Sequence, residues 1–149
     1  MSASLSSPRK DSTLYAYMVR SHEQLRDQAV HLLAAMQANA RADVMTLWNE
    51  LEHKLLSHME AEERFVLPSF AHVDHGAAAS LLRDHGLIRE HLLELGIAVD
   101  LHCIRFEHSQ DFIELLLRHA DREERLLYRW ADDRLSPDAI QAVKTRVAV

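Results

Sequence analysis

Two His-x-x-x-Glu pairs, His58 with Glu62 and His119 with Glu123, are the residues of this chain best suited to chemistry. Residues four apart stand on one helix face, one turn above the other, so each pair can aim an imidazole nitrogen and a carboxylate at one point. Spacing by itself is weak evidence. With eleven His and 23 acidic residues among 149, chance supplies roughly 1.7 such pairs. Context is the stronger argument. His58-Met59-Glu60-Ala61-Glu62-Glu63-Arg64 parallels His119-Ala120-Asp121-Arg122-Glu123-Glu124-Arg125. A single histidine precedes each in an R-x-H context, Arg20-Ser21-His22 and Arg83-Asp84-His85. The separations nearly match, 36 residues from His22 to His58 and 34 from His85 to His119. The chain therefore reads as two related helical hairpins, each bringing one His and one His-x-x-x-Glu.

That constellation suits metal ligation. His22, His58, His85 and His119 offer four neutral nitrogens, and Glu62 and Glu123 offer two anionic groups with two oxygens each, so each carboxylate could bridge two metals. Each metal would then see two His and two bridging oxygens, with room for a bridging oxo or hydroxo and for an open position. Mixed His and carboxylate donors without thiolate suit iron or manganese. Without a cation, so many polar groups converging in an apolar core would be costly to desolvate.

The elements that position these residues are helices. Gly and Pro number only three each, and Ala, Leu, Glu and Arg are abundant, as helices favour. Residues 1–13 read as a flexible N-terminal segment and 14–149 as one domain. The spacing predicts a first helix from Leu14 or Ser21 to Ala38, the later start marked by a capping box of Ser21 with Gln24. Further helices are predicted over Ala42–Phe70, Gly76–Leu101 and Ser109–Asp133. A short fifth, Pro137–Arg146, starts on Ser136 as N-cap and Pro137 as first helical residue. Short connections make sequential helices antiparallel neighbours.

The apolar seams carry more information than the boundaries. They read Met18, His22, Leu25, Ala29, Leu32, Met36; Val44, Trp48, Leu51, Leu55, His58, Glu62, Phe65; Ala78, Leu81, His85, Ile88, Leu92, Leu95, Val99; and Phe112, Leu116, His119, Glu123, Leu126, Trp130. Steps of three and four place each set on one buried stripe. Each stripe is interrupted by polar residues at one level only, so the six candidates should meet. The fold class is all-α, an up-down-up-down four-helix bundle with a short C-terminal helix outside it.

Other conspicuous residues have plainer readings. His31, His53 and His91 lie off the seams, and His72 and His75 fall in a turn. His102 extends a seam but lies about 25 Å along the helix from His85. Trp48 and Trp130 should fill bundle ends. Tyr15, Tyr17 and Tyr128 are candidate hydrogen-bond donors behind the ligands. Gly86 leaves space for a small ligand or for close helix packing. Arg89 is a solvated flank residue, or the partner of an acid.

Composition excludes several classes. A net charge of −6 argues against a nucleic-acid partner, which needs clustered excess cations. Cys103 is alone, so no intrachain disulfide forms and a reducing, cytoplasmic setting is expected. The opening MSASLSSPRKDS has no apolar h-region, and no stretch approaches 18 apolar residues, so neither signal peptide nor membrane partner is expected.

At the same residues the sequence resembles the hemerythrin-like (HHE cation-binding) family. RSHEQLRDQAVHLLAAM, LEHKLLSHMEAEERFVLP, LRDHGLIREHLLEL and LLRHADREERLLYRWAD are similar to its four ligand-bearing segments, in family order, over residues 14–133. The resemblance implies a non-haem centre of two iron ions (Fe2+/Fe3+) held by His22, His58, Glu62, His85, His119 and Glu123. It departs from the oxygen-carrying members at Arg89, where they have a further His, and at the last helix, where Glu124 matches their spacing and Glu123 matches the internal repeat. The set is a four-His, two-Glu variant, more carboxylate-rich and so more favourable to ferric iron. The implied function is binding of dioxygen, or sensing or storage of iron. The alternatives are an enzyme acting on hydrogen peroxide or nitric oxide, and a metal-free helical interaction module. The implied partner is a small ligand such as O2, peroxide or NO.

Overall fold

The structure, a computed structural model, describes residues 13–147 and 149. The flexible segment expected before Leu14 lies, apart from Thr13, outside the described residues. The elements are α1 (Leu14–Gln37), α2 (Arg41–Phe65), α3 (Leu67–Val73), α4 (His75–Asp100), α5 (Phe106–Leu126), α6 (Tyr128–Arg134) and α7 (Pro137–Arg146). No strand occurs among the described residues.

The first helix takes the earlier of its two predicted starts. The Thr13 hydroxyl accepts from the Ala16 amide at 3.1 Å, and the Asp132 carboxylate accepts from the amides of Leu14 at 2.7 Å and Tyr15 at 3.0 Å. Three otherwise orphaned donors are thereby satisfied. Ser21 does not cap; it is wholly buried inside α1. Asp74 caps α4 and Ser136 caps α7, each through its side chain.

The second and fourth predicted helices are each interrupted once, and at matching places. Val66 (φ −119°) separates α2 from α3, and Leu127 (φ −103°) separates α5 from α6. Each lies four residues after a site glutamate. Pro68, which lacks an amide and crowds the carbonyl four residues back, accounts for the first break. No proline accounts for the second. The helical bonds continue across both: Val66 donates to the Glu62 carbonyl at 3.0 Å and Leu127 to that of Glu123 at 2.9 Å. The breaks shift the buried stripe. Val66 and Leu67 are buried where Phe65 was expected, and Leu127, Tyr128 and Ala131 where Leu126 and Trp130 were.

The four long helices form an up-down-up-down bundle. Going round it, α1 packs on α2, α2 on α4, α4 on α5 and α5 on α1, while α7 lies outside against α2 and α1. Two apolar clusters fill the interior. One contains Leu14, Met18, Leu67, Phe70, Leu81 and Tyr128 and is closed by Val143 and Val147. The other contains Leu25, Leu32, Trp48, Leu51, Ile88, Leu92 and Phe112. On every long helix the inward-facing histidines and glutamates lie between the two, so they form one polar layer across the bundle core.

Candidate metal centre

The six predicted site residues form that layer. α1 brings His22, α2 brings His58 and Glu62, α4 brings His85, and α5 brings His119 and Glu123. His58, Glu62, His85, His119 and Glu123 are buried, and His22 nearly so. Their inward atoms fall into two overlapping groups, each spanning at most 4.8 Å: Glu62, His85, His119 and Glu123, and His22, His58 and Glu123. Glu123 is common to both. Its carboxylate lies 3.3 Å from His22 Nε2, 3.2 Å from His119 Nε2, 3.5 Å from His85 Nε2 and 4.0 Å from His58 Nε2. Glu62 stands between the halves, 3.3 Å from His58 Nε2 and 3.7 Å from His85 Nε2.

All four rings turn Nε2 inward, because each Nδ1 has a partner outside. The Ser21 hydroxyl lies 2.9 Å from His58 Nδ1, Asp84 Oδ2 2.9 Å from His119 Nδ1, Glu63 Oε2 2.7 Å from His85 Nδ1 and Glu124 Oε1 3.3 Å from His22 Nδ1. A partner that accepts the Nδ1 proton fixes the tautomer whose Nε2 lone pair points at the centre. These partners follow the internal repeat. Ser21 and Asp84 precede the single histidines, and Glu63 and Glu124 follow the site glutamates. Each hairpin's Ser or Asp holds its own second histidine, and each hairpin's trailing Glu holds the other's first. Arg89 grips Glu63 through two 2.7 Å bonds, and Arg122 grips Asp84. Arg89 is thus the partner of an acid, behind the site.

Burial and the close approach of carboxylates and imidazoles set the electrostatics of the layer. Burial lowers the His22 and His85 imidazoles, but the nearby carboxylates of Glu123, with Glu124 and Glu63 respectively, outweigh it and raise each to about 9. Burial and the neighbouring His22 hold His58 well below its usual range. Burial raises the Glu62 carboxyl far above the carboxylate range, and the Glu123 charge adds to it. Burial also opposes ionisation of Glu123, yet His119 and the surrounding hydrogen bonds keep its carboxyl low. Glu63, although partly buried, is brought down to about 2 by His85 and Arg89.

The donor set fits a cation on a specific observation. Glu62 Oε1, Glu123 Oε2, His85 Nε2 and His119 Nε2 are buried with no hydrogen-bond partner. Each such atom costs about 1–3 kcal/mol when unsatisfied, yet they converge on one spot. Lone pairs aimed at lone pairs are what a bound cation resolves.

Tyr128 is the residue that the seam pattern misplaced. It is wholly buried, and its hydroxyl lies 3.0 Å from Glu62 Oε2, 3.0 Å from His22 Nε2, 3.2 Å from Glu123 Oε1 and 3.3 Å from His58 Nε2. Burial and the two carboxylates raise its phenol well above the ordinary tyrosine range. The other candidate tyrosines are elsewhere: Tyr17 bonds the Lys144 carbonyl at 2.8 Å, and Tyr15 stacks under Arg129.

The remaining histidines stay away from the layer. His31, His53, His72, His75, His102 and His108 are exposed, and His91 packs beside Phe112. Gly86 is exposed with no side chain near it, so neither of its expected roles holds. Trp48 is buried in one apolar cluster, whereas Trp130 is partly buried and packs against the other.

A cavity of about 40 Å³ reaches the layer between α1 and α5, walled by Leu25, Ala29, Leu55, His58 and His119. The exposed Arg26 and Leu117 stand among its lining residues. No helix among the described residues is long and apolar enough to cross a membrane.

The family model for the hemerythrin HHE cation binding domain matches residues 13–131. No curated protein and no solved structure matches the chain.

Proposed function

From the premise that the chain belongs to the hemerythrin HHE cation-binding family, we propose that it holds two iron ions in the polar layer and binds a small ligand such as dioxygen there. The ligands in this reading are His22, His58, Glu62, His85, His119 and Glu123, with both glutamates bridging. The observation that carries it is the convergence of unpartnered donor atoms from α2, α4 and α5 on one buried spot, with every imidazole locked from behind.

When bound, an iron pair supplies one-electron redox changes and open coordination positions. The chain's own residues do the rest. Glu62 and Glu123 neutralise cationic charge. Ser21, Asp84, Glu63 and Glu124 hold the rings in register. Leu25, Ala29 and Leu55 keep the approach dry and narrow, and a cavity of about 40 Å³ takes a few waters or one small molecule. That size supports a small dissolved ligand over an organic substrate.

The test is metal analysis after iron-replete expression, followed by oxygen cycling of the anaerobically reduced protein. The reading expects about two irons per chain, one at each of the two donor groups, and an absorption change that reverses when oxygen is withdrawn. Fewer than about one transition metal per chain would sink it.

A second reading, turnover of hydrogen peroxide, is favoured by one observation. Three of the four rings are backed by carboxylates, Asp84, Glu63 and Glu124. Anionic partners raise imidazole basicity and so favour ferric iron. Irreversible oxidation in the cycling experiment, with oxygen evolved from peroxide, would select this reading over the first.

The locking residues make a prediction of their own. Glu63→Ala frees the His85 ring and strands Arg89. It should weaken iron binding roughly 10- to 100-fold while leaving helix content unchanged, as read by chelator competition and circular dichroism. Unaltered affinity would remove Glu63 from the site's support.

A further inference from the structure

The internal repeat is broken at one position in the polar layer. The residues five after the two site glutamates are Leu67 and Tyr128. Each is the first residue after an interruption, at Val66 or Leu127, and each is buried. Corresponding backbone positions therefore present an alkyl group on one side and a phenol on the other.

The phenol's surroundings are not those of an ordinary hydrogen-bond donor. It carries one proton, yet four donor atoms lie at 3.0–3.3 Å from its oxygen, on His22, His58, Glu62 and Glu123. At most one of these contacts can take that proton. Nitrogen and oxygen ligands bound at about 2.0–2.2 Å to one ion stand about 3 Å apart when adjacent. Tyr128 keeps this spacing from all four. The unpartnered nitrogens, on His85 and His119, belong to the half of the layer that the phenol does not reach.

Resting on the iron-pair reading above, we infer that Tyr128 is a seventh donor, its phenolate oxygen ligating the metal held by His22 and His58. The O–H bond breaks as the metal–oxygen bond forms, the proton passes to solvent, and no electron is transferred. The two metal positions are then unequal. One has a third anionic donor, and the His85/His119 position keeps its place for an exogenous ligand.

The test uses the full chain loaded with ferric iron. Wild type should show a visible phenolate-to-iron charge-transfer band, with resonance Raman ring modes that shift on labelling with ring-deuterated tyrosine. Tyr128→Phe should retain at least about half of the iron, since six ligands remain, and lose both signals. The chain has three tyrosines, so a Tyr15→Phe/Tyr17→Phe variant leaves Tyr128 alone and should keep the band and the modes. This arm decides the matter even if Tyr128→Phe fails to fold. Iron-loaded wild type without the signals, their persistence in Tyr128→Phe, or their loss in the double variant overturns the inference. A wild type that takes up no iron overturns the iron-pair reading itself, visible in the metal analysis before any spectrum is recorded.

Discussion

On the iron-pair reading, Glu123→Ala should strip the polar layer of most of its metal, whereas Glu124→Ala should not. Glu123 is the residue shared by both donor groups, and its two oxygens lie within 3.5 Å of three of the four histidines. Removing it takes the one shared carboxylate from both donor groups at once. It leaves four imidazoles facing a single carboxylate. Removing one member of a buried ionic set costs about 3–5 kcal/mol, which corresponds to roughly 10²- to 10⁴-fold in affinity. Glu124 is a quarter exposed, and its carboxylate meets the outer nitrogen of His22 at 3.3 Å. Losing it loosens one ring, a change worth about 10- to 100-fold at most. Chelator competition on the two variants measures both effects. The reverse order of affinities would show that the glutamate five residues after His119, not four, faces the metals.

The choice between those neighbours shows how far the sequence could be read. The alternation of threes and fours placed Glu123 on the seam and Glu124 beside it, and that periodicity is a direct consequence of helix geometry. The α4 seam is buried at every position from Ala78 to Val99. The seams failed where the helices are interrupted. A pattern that assumes an unbroken helix cannot register a local φ change at Leu127, so it placed Leu126 and Trp130 on the buried stripe and left Tyr128 off it, as a candidate donor behind the ligands. The repeat held the missing information. Pro68 marks a break four to six residues after Glu62, and the matching stretch after Glu123 begins with Leu127 and Tyr128. The residues behind the rings were hidden for another reason. Ser21, Glu63, Asp84 and Glu124 are each adjacent in sequence to a candidate ligand, but their targets lie on other helices. Only the packing of α1, α2, α4 and α5 tells which nitrogen each one meets. Ser21 even carried a competing local meaning as a helix cap, which the Thr13 and Asp132 bonds at the true helix start made unnecessary.

Metal removal should destabilise the chain, and Glu62→Gln should partly reverse that loss. The layer between the two apolar clusters has one purpose in this reading, and without a cation it is a cost. Glu62 is wholly buried beside Glu123, and its Oε1 has no partner. Burial and the Glu123 charge both oppose its ionisation. A tightly bound metal at 1,000 times its dissociation constant adds about 4 kcal/mol to stability. For a chain of this size that is a change in Tm on the order of 10 °C. Thermal unfolding followed by circular dichroism, with and without a chelator, should show a drop of that order. In the chelated state Glu62→Gln should melt higher than wild type by a few degrees, about 1 kcal/mol. The amide is neutral without having to hold a proton that the unfolded chain's carboxyl would release, and it can donate to Glu123. In the iron-loaded state the order should invert, because an amide cannot neutralise the metals. A substitution that stabilises the empty protein and weakens the loaded one is the signature of a site maintained for its ligand. If the variant instead melts lower than wild type in both states, and the chelator changes nothing, the polar layer is held by its own hydrogen bonds and serves the fold alone.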